Sequence, residues 1–418
     1  MIFIAHCLTL MLLLAATGLA QQTAPAVEPP LEWPLEWTDP ETGYRVIRLS
    51  RESGSASLYF HQNAYTASGD KFVITSPKGI STIELKTGKI ELIVEGRASN
   101  LIVGRKTRQV FYVRDGAVMA THLDTKATRE IVKRAELRTG AGLAINADET
   151  LLGGSFVEGG ALGNFQPPAS STPGQRPDSY PSKGEMMERR LAAKLPMALY
   201  TINVKTGEVK TFHHATDWLN HVQFSPTDPA LMMFCHEGPW HKVDRIWTIR
   251  TDGLNAGSNA GTGLTKIHAR TMEMEIAGHE FFSADGKTIW YDLQTPKGKE
   301  FWLAGYVIAT GEKIKYKVAR EHWSVHFNAS PDGKLFAGDG GGPRSVAAPG
   351  NGQWIYLFSP EVTPKNGALK AEKLVNLAKH DYSLEPNVTF TPDGKWIIFR
   401  SNIHGATQVY AVELNKKR

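Results

Sequence analysis

Cysteine is almost absent. The 418-residue chain carries two, and Cys7 falls within an apolar leader, so Cys235 alone remains in the mature protein. No intrachain disulfide can form, and stability must come from packing. Long apolar runs are equally scarce. Residues 2–19 form one, closing in small residues near Ala20, and no second stretch approaches the roughly 20 residues that a membrane span needs. Residues 1–20 read as a secretory signal peptide cut before Gln21, although no Lys or Arg stands at its start. The mature chain is then expected in the periplasm or outside the cell. A short membrane anchor is the competing reading. The net charge of +5 is dispersed, with no basic stripe for nucleic acid. This mild balance suits a small anionic ligand or an oligosaccharide. No Gly-x-Ser-x-Gly elbow occurs, which counts against a propeller attached to a serine peptidase.

What is abundant is one kind of turn. Ser68-Gly-Asp-Lys, Arg105-Lys-Thr-Arg, Asn146-Ala-Asp-Glu and Ser225-Pro-Thr-Asp each precede a short apolar strand, as do Ser283-Ala-Asp-Gly, Ser330-Pro-Asp-Gly and Thr391-Pro-Asp-Gly. Copies at spacings of roughly 40 to 80 residues predict an all-β fold, a seven-bladed β-propeller in which each blade is a four-stranded meander. The strand Tyr44-Arg-Val-Ile-Arg-Leu is placed to complete the last blade beside Gln408-Val-Tyr-Ala-Val-Glu-Leu. Pairing the N- and C-terminal strands would close the ring and remove an open edge. The expected organisation is a leader (1–20), a proline-rich linker (21–40) and the propeller (41–418). An insertion at about 156–194 interrupts it, rich in Gly, Pro and Ser and ending in a short helix from Gly184. Such a segment is either a lid or binding element, or a disordered insertion.

His221, His279, His326 and Asn387 each stand four residues before the Ser or Thr that opens a turn. Gln62 joins them if Thr66 opens its turn, and Glu385 shares the face of Asn387 by strand alternation. One strand histidine is ordinarily structural. Three at one register point to side chains converging on an axial channel. A second cluster surrounds the bend at Gly238-Pro239, flanked by His236, Glu237, His241 and Arg245. Alone, it reads equally well as a capped hairpin with surface charges.

Together these segments resemble the oligogalacturonate lyases, propeller enzymes of pectin breakdown. The resemblance is carried by Phe234-Cys-His-Glu-Gly-Pro, Val243-Asp-Arg-Ile-Trp, Gly278-His-Glu-Phe and Trp218-Leu-Asn-His-Val, and runs in order from about residue 40 to the C-terminus. It implies β-elimination at a uronate, with His279 as base, Arg245 beside the substrate carboxylate and a divalent cation such as Mn²⁺ bridging acid groups. His326 matches one metal ligand. The family's Gln-x-x-His-Pro-His segment reads Tyr382-Ser-Leu-Glu-Pro-Asn here, so Tyr382, Glu385 and Asn387 replace three ligands. A site of His326, Glu385 and Asn387 is oxygen-rich and would favour Mn²⁺, Ca²⁺ or Mg²⁺ over zinc. The other reading is that no metal binds and these groups contact sugar directly.

Two functions follow as expectations. One is an exported lyase that cuts uronic-acid oligosaccharides with metal assistance, His221, His236, Gln62 and Tyr382 lining its cleft, and Tyr382, His236 or water acting as general acid. The other is a non-catalytic periplasmic propeller that binds a glycan or a protein partner.

Overall fold

The structure, a computed structural model, describes residues 35–139, 141–160, 183–253, 263–342, 352–361 and 367–415. The leader and residues 161–182 of the insertion lie outside these residues.

The alternating segments fold into four-stranded antiparallel meanders spanning 56–95, 99–133, 141–215, 218–266, 276–317 and 327–376. The last meander, 389–413, takes its fourth strand from Arg45–Arg48, with Val46 opposite Val412 and Ile47 opposite Ala411. The end of the expected linker is structured too: Glu36–Thr38 adds a fifth strand, with Glu36 opposite Ile47. One contact has no counterpart in the repeat pattern. The outer strands of the 276–317 and 327–376 meanders pair in parallel at Tyr316 and Gly367. A Cβ on Gly367 would meet the Tyr316 ring at 2.6 Å, so only glycine permits this approach.

The repeated turn has a mechanical basis. The Ser283 hydroxyl donates to Asp285 at 2.7 Å and accepts the Thr288 amide at 3.0 Å. Ser330 and Thr391 make the same two bonds, to Asp332 and Leu335 and to Asp393 and Trp396. Gly286, Gly333 and Gly394 supply the positive φ that closes each hairpin.

Each meander shares an apolar cluster with its neighbour. Phe234 and Met232 pack with Leu199, for example, and Trp290 and Phe301 pack with Phe336 and Phe358. The first and last meanders meet in the same way, where Ile398, Val409 and Ala411 join Phe72 and Ile74. Fully burying one such side chain stabilises the fold by roughly 2–3 kcal/mol.

Within the insertion, Lys183–Ala193 form helix α1. It docks on the hairpin after Glu237: Arg190 lies 4.0 Å from the centre of the Trp218 ring, and Lys242 pairs with Glu188 at 2.9 Å.

Candidate active site

Positions four residues before the turns are special for a reason that strand alternation misses. In four meanders the first strand carries a one-residue bulge, between Ser99 and Ile102, Ala141 and Ala144, Asn220 and Gln223, and Gly278 and Phe281. The residues in these bulges are Asn100, Gly142, His221 and His279, and all have positive φ; Asn387 does too at the same offset. Glycine and asparagine enter this left-handed region readily. Histidine held there costs on the order of 1 kcal/mol or more, and such strain tends to sit at functional sites.

Two histidines form matching dyads. His279 Nδ1 lies 2.8 Å from Asp292 Oδ1, and His326 Nδ1 lies 2.7 Å from Asp339 Oδ2. Asp292 sits on the strand after its histidine, and Asp339 one residue past the corresponding strand. At His279 the carboxylate holds Nδ1 and leaves Nε2 uncommitted, while His326 is buried with its aspartate. The two rings stand edge to face, 4.6 Å apart. Their environments differ. Burial pushes the His279 imidazolium down, but the Asp292 charge and hydrogen bond outweigh it and the net shift is upward. His326 is sealed, and burial together with neighbouring His279 pushes it well below the ordinary value. Burial likewise raises Asp339 to about 7, against the amides of His326 and Asn387 that it accepts.

A third group surrounds Arg245. Its Nε donates to Glu280 and its Nη1 to Glu237, each at 3.0 Å, and all three side chains are buried. Burial alone would raise Glu237, but Arg245 and His221 hold its carboxyl near 2. His221 lies 3.5 Å from Glu237; burial, then the Arg245 charge, push it to about 3, so it is a neutral ring at ordinary pH. Helix α1 brings Lys183 close enough for its charge to act on both His221 and Glu237.

Geometry sorts the expected site residues. His221, His279, His326 and Glu385 come together, with Glu385 Oε2 3.7 Å from His326 Nε2. Arg245 is adjacent, but clamped between two glutamates rather than extended toward a ligand, because the apolar walls around it demand paired charge. Gln62 is turned back, its Oε1 accepting the Tyr59 amide. His236 points to the opposite face of its strand, toward Trp247 and Asp217. The Tyr382 hydroxyl donates to the Asp339 carbonyl. Asn387 is buried, its Oδ1 accepting the Phe60 amide and its Nδ2 donating to the Glu385 carbonyl.

Sequence reasoning missed several members. Tyr59 stands edge-on to both His221 (5.5 Å) and His326 (5.3 Å), bridging the two ends of the pocket. Burial first, then nearby Glu385, raise its phenol well above the ordinary value, so it stays protonated. His61 lies 5.7 Å from His221 and is pushed to about 3 by burial and by that neighbour. Asp292 and Asp339 follow their histidines by the same interval, 13 residues, and that repeat was a readable signal.

The donor set does not fit a resident cation. Of the residues expected to hold one, only His326 Nε2, buried without a hydrogen-bond partner, and the Glu385 carboxylate 3.7 Å from it keep uncommitted lone pairs. Asn387 and Tyr382 spend their polar atoms on the backbone. Among the described residues no three His, Cys, Asp or Glu side chains gather as a metal-binding group. Two donors fall short of what hard divalent ions ordinarily require.

Comparison with known proteins agrees with this architecture. Two relatives, an oligogalacturonide lyase of Pectobacterium atrosepticum and an oligogalacturonate lyase of Dickeya dadantii, are each 25% identical over 404 residues, covering 90% of this chain and 95% of the relative. Among solved structures, an oligogalacturonate lyase in complex with manganese matches with a TM-score of 0.73, and one from Vibrio parahaemolyticus with 0.74. Each is 23% identical and covers 91% of this chain and 96% of the other, a likeness of fold. The family model for oligogalacturonate lyase matches residues 187–417, more than half of the chain, and the protein belongs to that family.

Proposed function

We propose that the protein is an exported oligogalacturonide lyase that cleaves by β-elimination from a pocket on a seven-bladed ring. The ring reading is supported by the repeated meanders, the shared N- and C-terminal sheet and the apolar contact between the first and last units. One observation carries the chemical reading: His279 is oriented through Nδ1 by Asp292, is still partly exposed, and stands against His326 within reach of the Arg245 and Glu385 charges.

Elimination removes the weakly acidic proton on the carbon next to a uronate carboxylate. Its electron pair becomes a C=C bond as the bond to the glycosidic oxygen breaks, and that oxygen takes a proton. His279 Nε2 accepts the first proton. Tyr59, kept protonated between His221 and His326, is assigned the second donation, and solvent returns the proton from His279 to Tyr59. Arg245 acts at one remove, fixing Glu237 and Glu280 and keeping His221 neutral. No step is assigned to a metal, because the donors present do not make a resident site.

The test is the ultraviolet absorbance of an unsaturated uronate, followed on saturated oligogalacturonides and other uronides. Wild type should produce it, and a folded His279→Gln variant should not. Absence of signal on every uronide, with or without added Mn²⁺, defeats the reading; binding without cleavage would favour the non-catalytic alternative.

A further inference from the structure

The His326 end of the pocket holds a charge that the chemistry above leaves unused. Arg400 lies on the strand Trp396–Ser401 and is half-buried. Its Nε donates to the Glu385 carbonyl at 2.8 Å and its Nη1 to the Ser57 carbonyl at 3.3 Å. Both partners are neutral oxygens. Arg45, Arg108, Arg245 and Arg250 each pair with two carboxylates. Arg400 closes no ion pair with any described residue. The charges that act on it belong to Glu385, Tyr59 and Asp339, and its own charge acts on His326, so it belongs to this pocket. A guanidinium removed from water without an anion is costly, and its planar fork matches a carboxylate.

The segment that holds it matters. Glu385 and Asn387 stand where the family resemblance implies metal ligands. Here the Glu385 carbonyl accepts from Asn387 Nδ2 and from Arg400 Nε, so the loop is built to lock an arginine. We propose that Arg400 is the fixed cation that binds a uronate carboxylate at the His326–Glu385 end of the pocket, so that this chain grips its acidic substrate without a resident divalent ion. His326, sealed behind this end of the pocket, leaves the ligand face to Arg400 and Glu385. The inference rests on reading the pocket as a uronate site.

Calorimetric titration of the full chain in the non-cleaving His279→Gln background with saturated oligogalacturonides tests it, in EDTA and with Mn²⁺ added, methyl-esterified oligomers serving as the uncharged control. This background should bind the acid form equally well in both buffers and bind the ester poorly, and the variants below are made in it. Arg400→Met should weaken binding at least about tenfold, with Arg400→Lys retaining part of it. Glu385 gives a test of sign. If Arg400 holds the carboxylate, Glu385→Gln removes a competing anion and binding stays equal or tightens; if Glu385 is a metal ligand, binding weakens. Binding that vanishes in EDTA and returns with Mn²⁺, a folded Arg400→Met that binds normally, or weaker binding by Glu385→Gln each overturn the proposal. Absorbance of unsaturated product is read separately, on the chain with His279 in place. Metal-free binding lost with Arg400 but followed by no product would sink the lyase reading and leave Arg400 in place.

Discussion

The His279–Asp292 and His326–Asp339 dyads are built alike, yet one imidazole is pushed up and the other down. Each histidine stands four residues before its turn, and each binds its aspartate through Nδ1, at 2.8 and 2.7 Å. The difference is access. The His279 side chain is 14% exposed and that of His326 is fully sealed. Asp292 therefore faces a ring that can carry charge. Asp339 and His326 are both driven toward neutral forms by burial, with Asp339 near 7. A shared hydrogen bond does not make a shared role; solvation decides which ring titrates.

Breaking each dyad at the histidine should separate them most. His279→Gln should lower kcat about a thousandfold, the range for loss of a general base. His326→Gln should raise KM about tenfold and move kcat far less, as expected for a sealed group that holds the binding end of the site in shape. Initial rates from product absorbance check both. Equal losses in kcat would mean the dyads act as a unit.

Removing the aspartates tests the direction of the titration. His279 must be neutral to accept a proton, and Asp292 favours its charged form, so kcat should fall with acidity through a midpoint above 6.5. Asp292→Asn should move that midpoint down and lower the plateau about a hundredfold. Asp339→Asn should move the midpoint far less, since Asp339 bonds to His326 and reaches His279 only through its charge. A pH–rate profile for each variant decides.

Acid stability extends the comparison to the rest of the pocket. His61 and His221 titrate near 3 in the folded chain, far below the ordinary 6.5. Between those values the unfolded chain binds protons that the folded one refuses. Each ring then removes up to ~1.4 kcal/mol of stability per pH unit as pH falls. His279, shifted upward, acts in the opposite sense: its contribution is present below 6.5 and is lost as pH rises through its folded value. Urea unfolding between pH 7.5 and 4 should show a shallower acid slope for His221→Asn, a residue suited to the positive φ there. An unchanged slope would mean His221 is not a buried neutral ring.

Much of this was legible in the sequence. The Ser-x-Asp-Gly turns set the repeat because their hydroxyl and carboxylate bonds are local, and the offset of four residues brought out three clustered histidines. Gln62 and His236 point elsewhere for local reasons. The Gln62 side chain folds back onto the Tyr59 amide three residues earlier, and His236 alternates with its buried neighbour Glu237. Asn387 was placed at the correct register, but the Phe60 amide that claims its oxygen lies 327 residues away in the chain. Tyr59 and Arg400 carry no motif at all; contacts between different meanders put them in the pocket.

The smallest change probes why the dyads differ at all. Val325 precedes His326, whereas Gly278 precedes His279, and the clearance there is narrow: a Cβ at 278 would stand 3.2 Å from Asp292 Oδ1. Gly278 is not in the left-handed region, so alanine is acceptable to the backbone and only the carboxylate must yield. Asp339 has amides of His326 and Asn387 to hold it, but among the described residues Asp292 bonds only to His279, so it has little to resist displacement. Gly278→Ala should therefore lengthen the Nδ1–Asp292 bond, lower kcat about threefold and move the acid midpoint in the same direction as Asp292→Asn, with stability changed by about 1 kcal/mol or less. If the midpoint holds while Asp292→Asn shifts it, the clearance at 278 is not what positions the carboxylate, and the openness of the His279 ring alone accounts for the contrast.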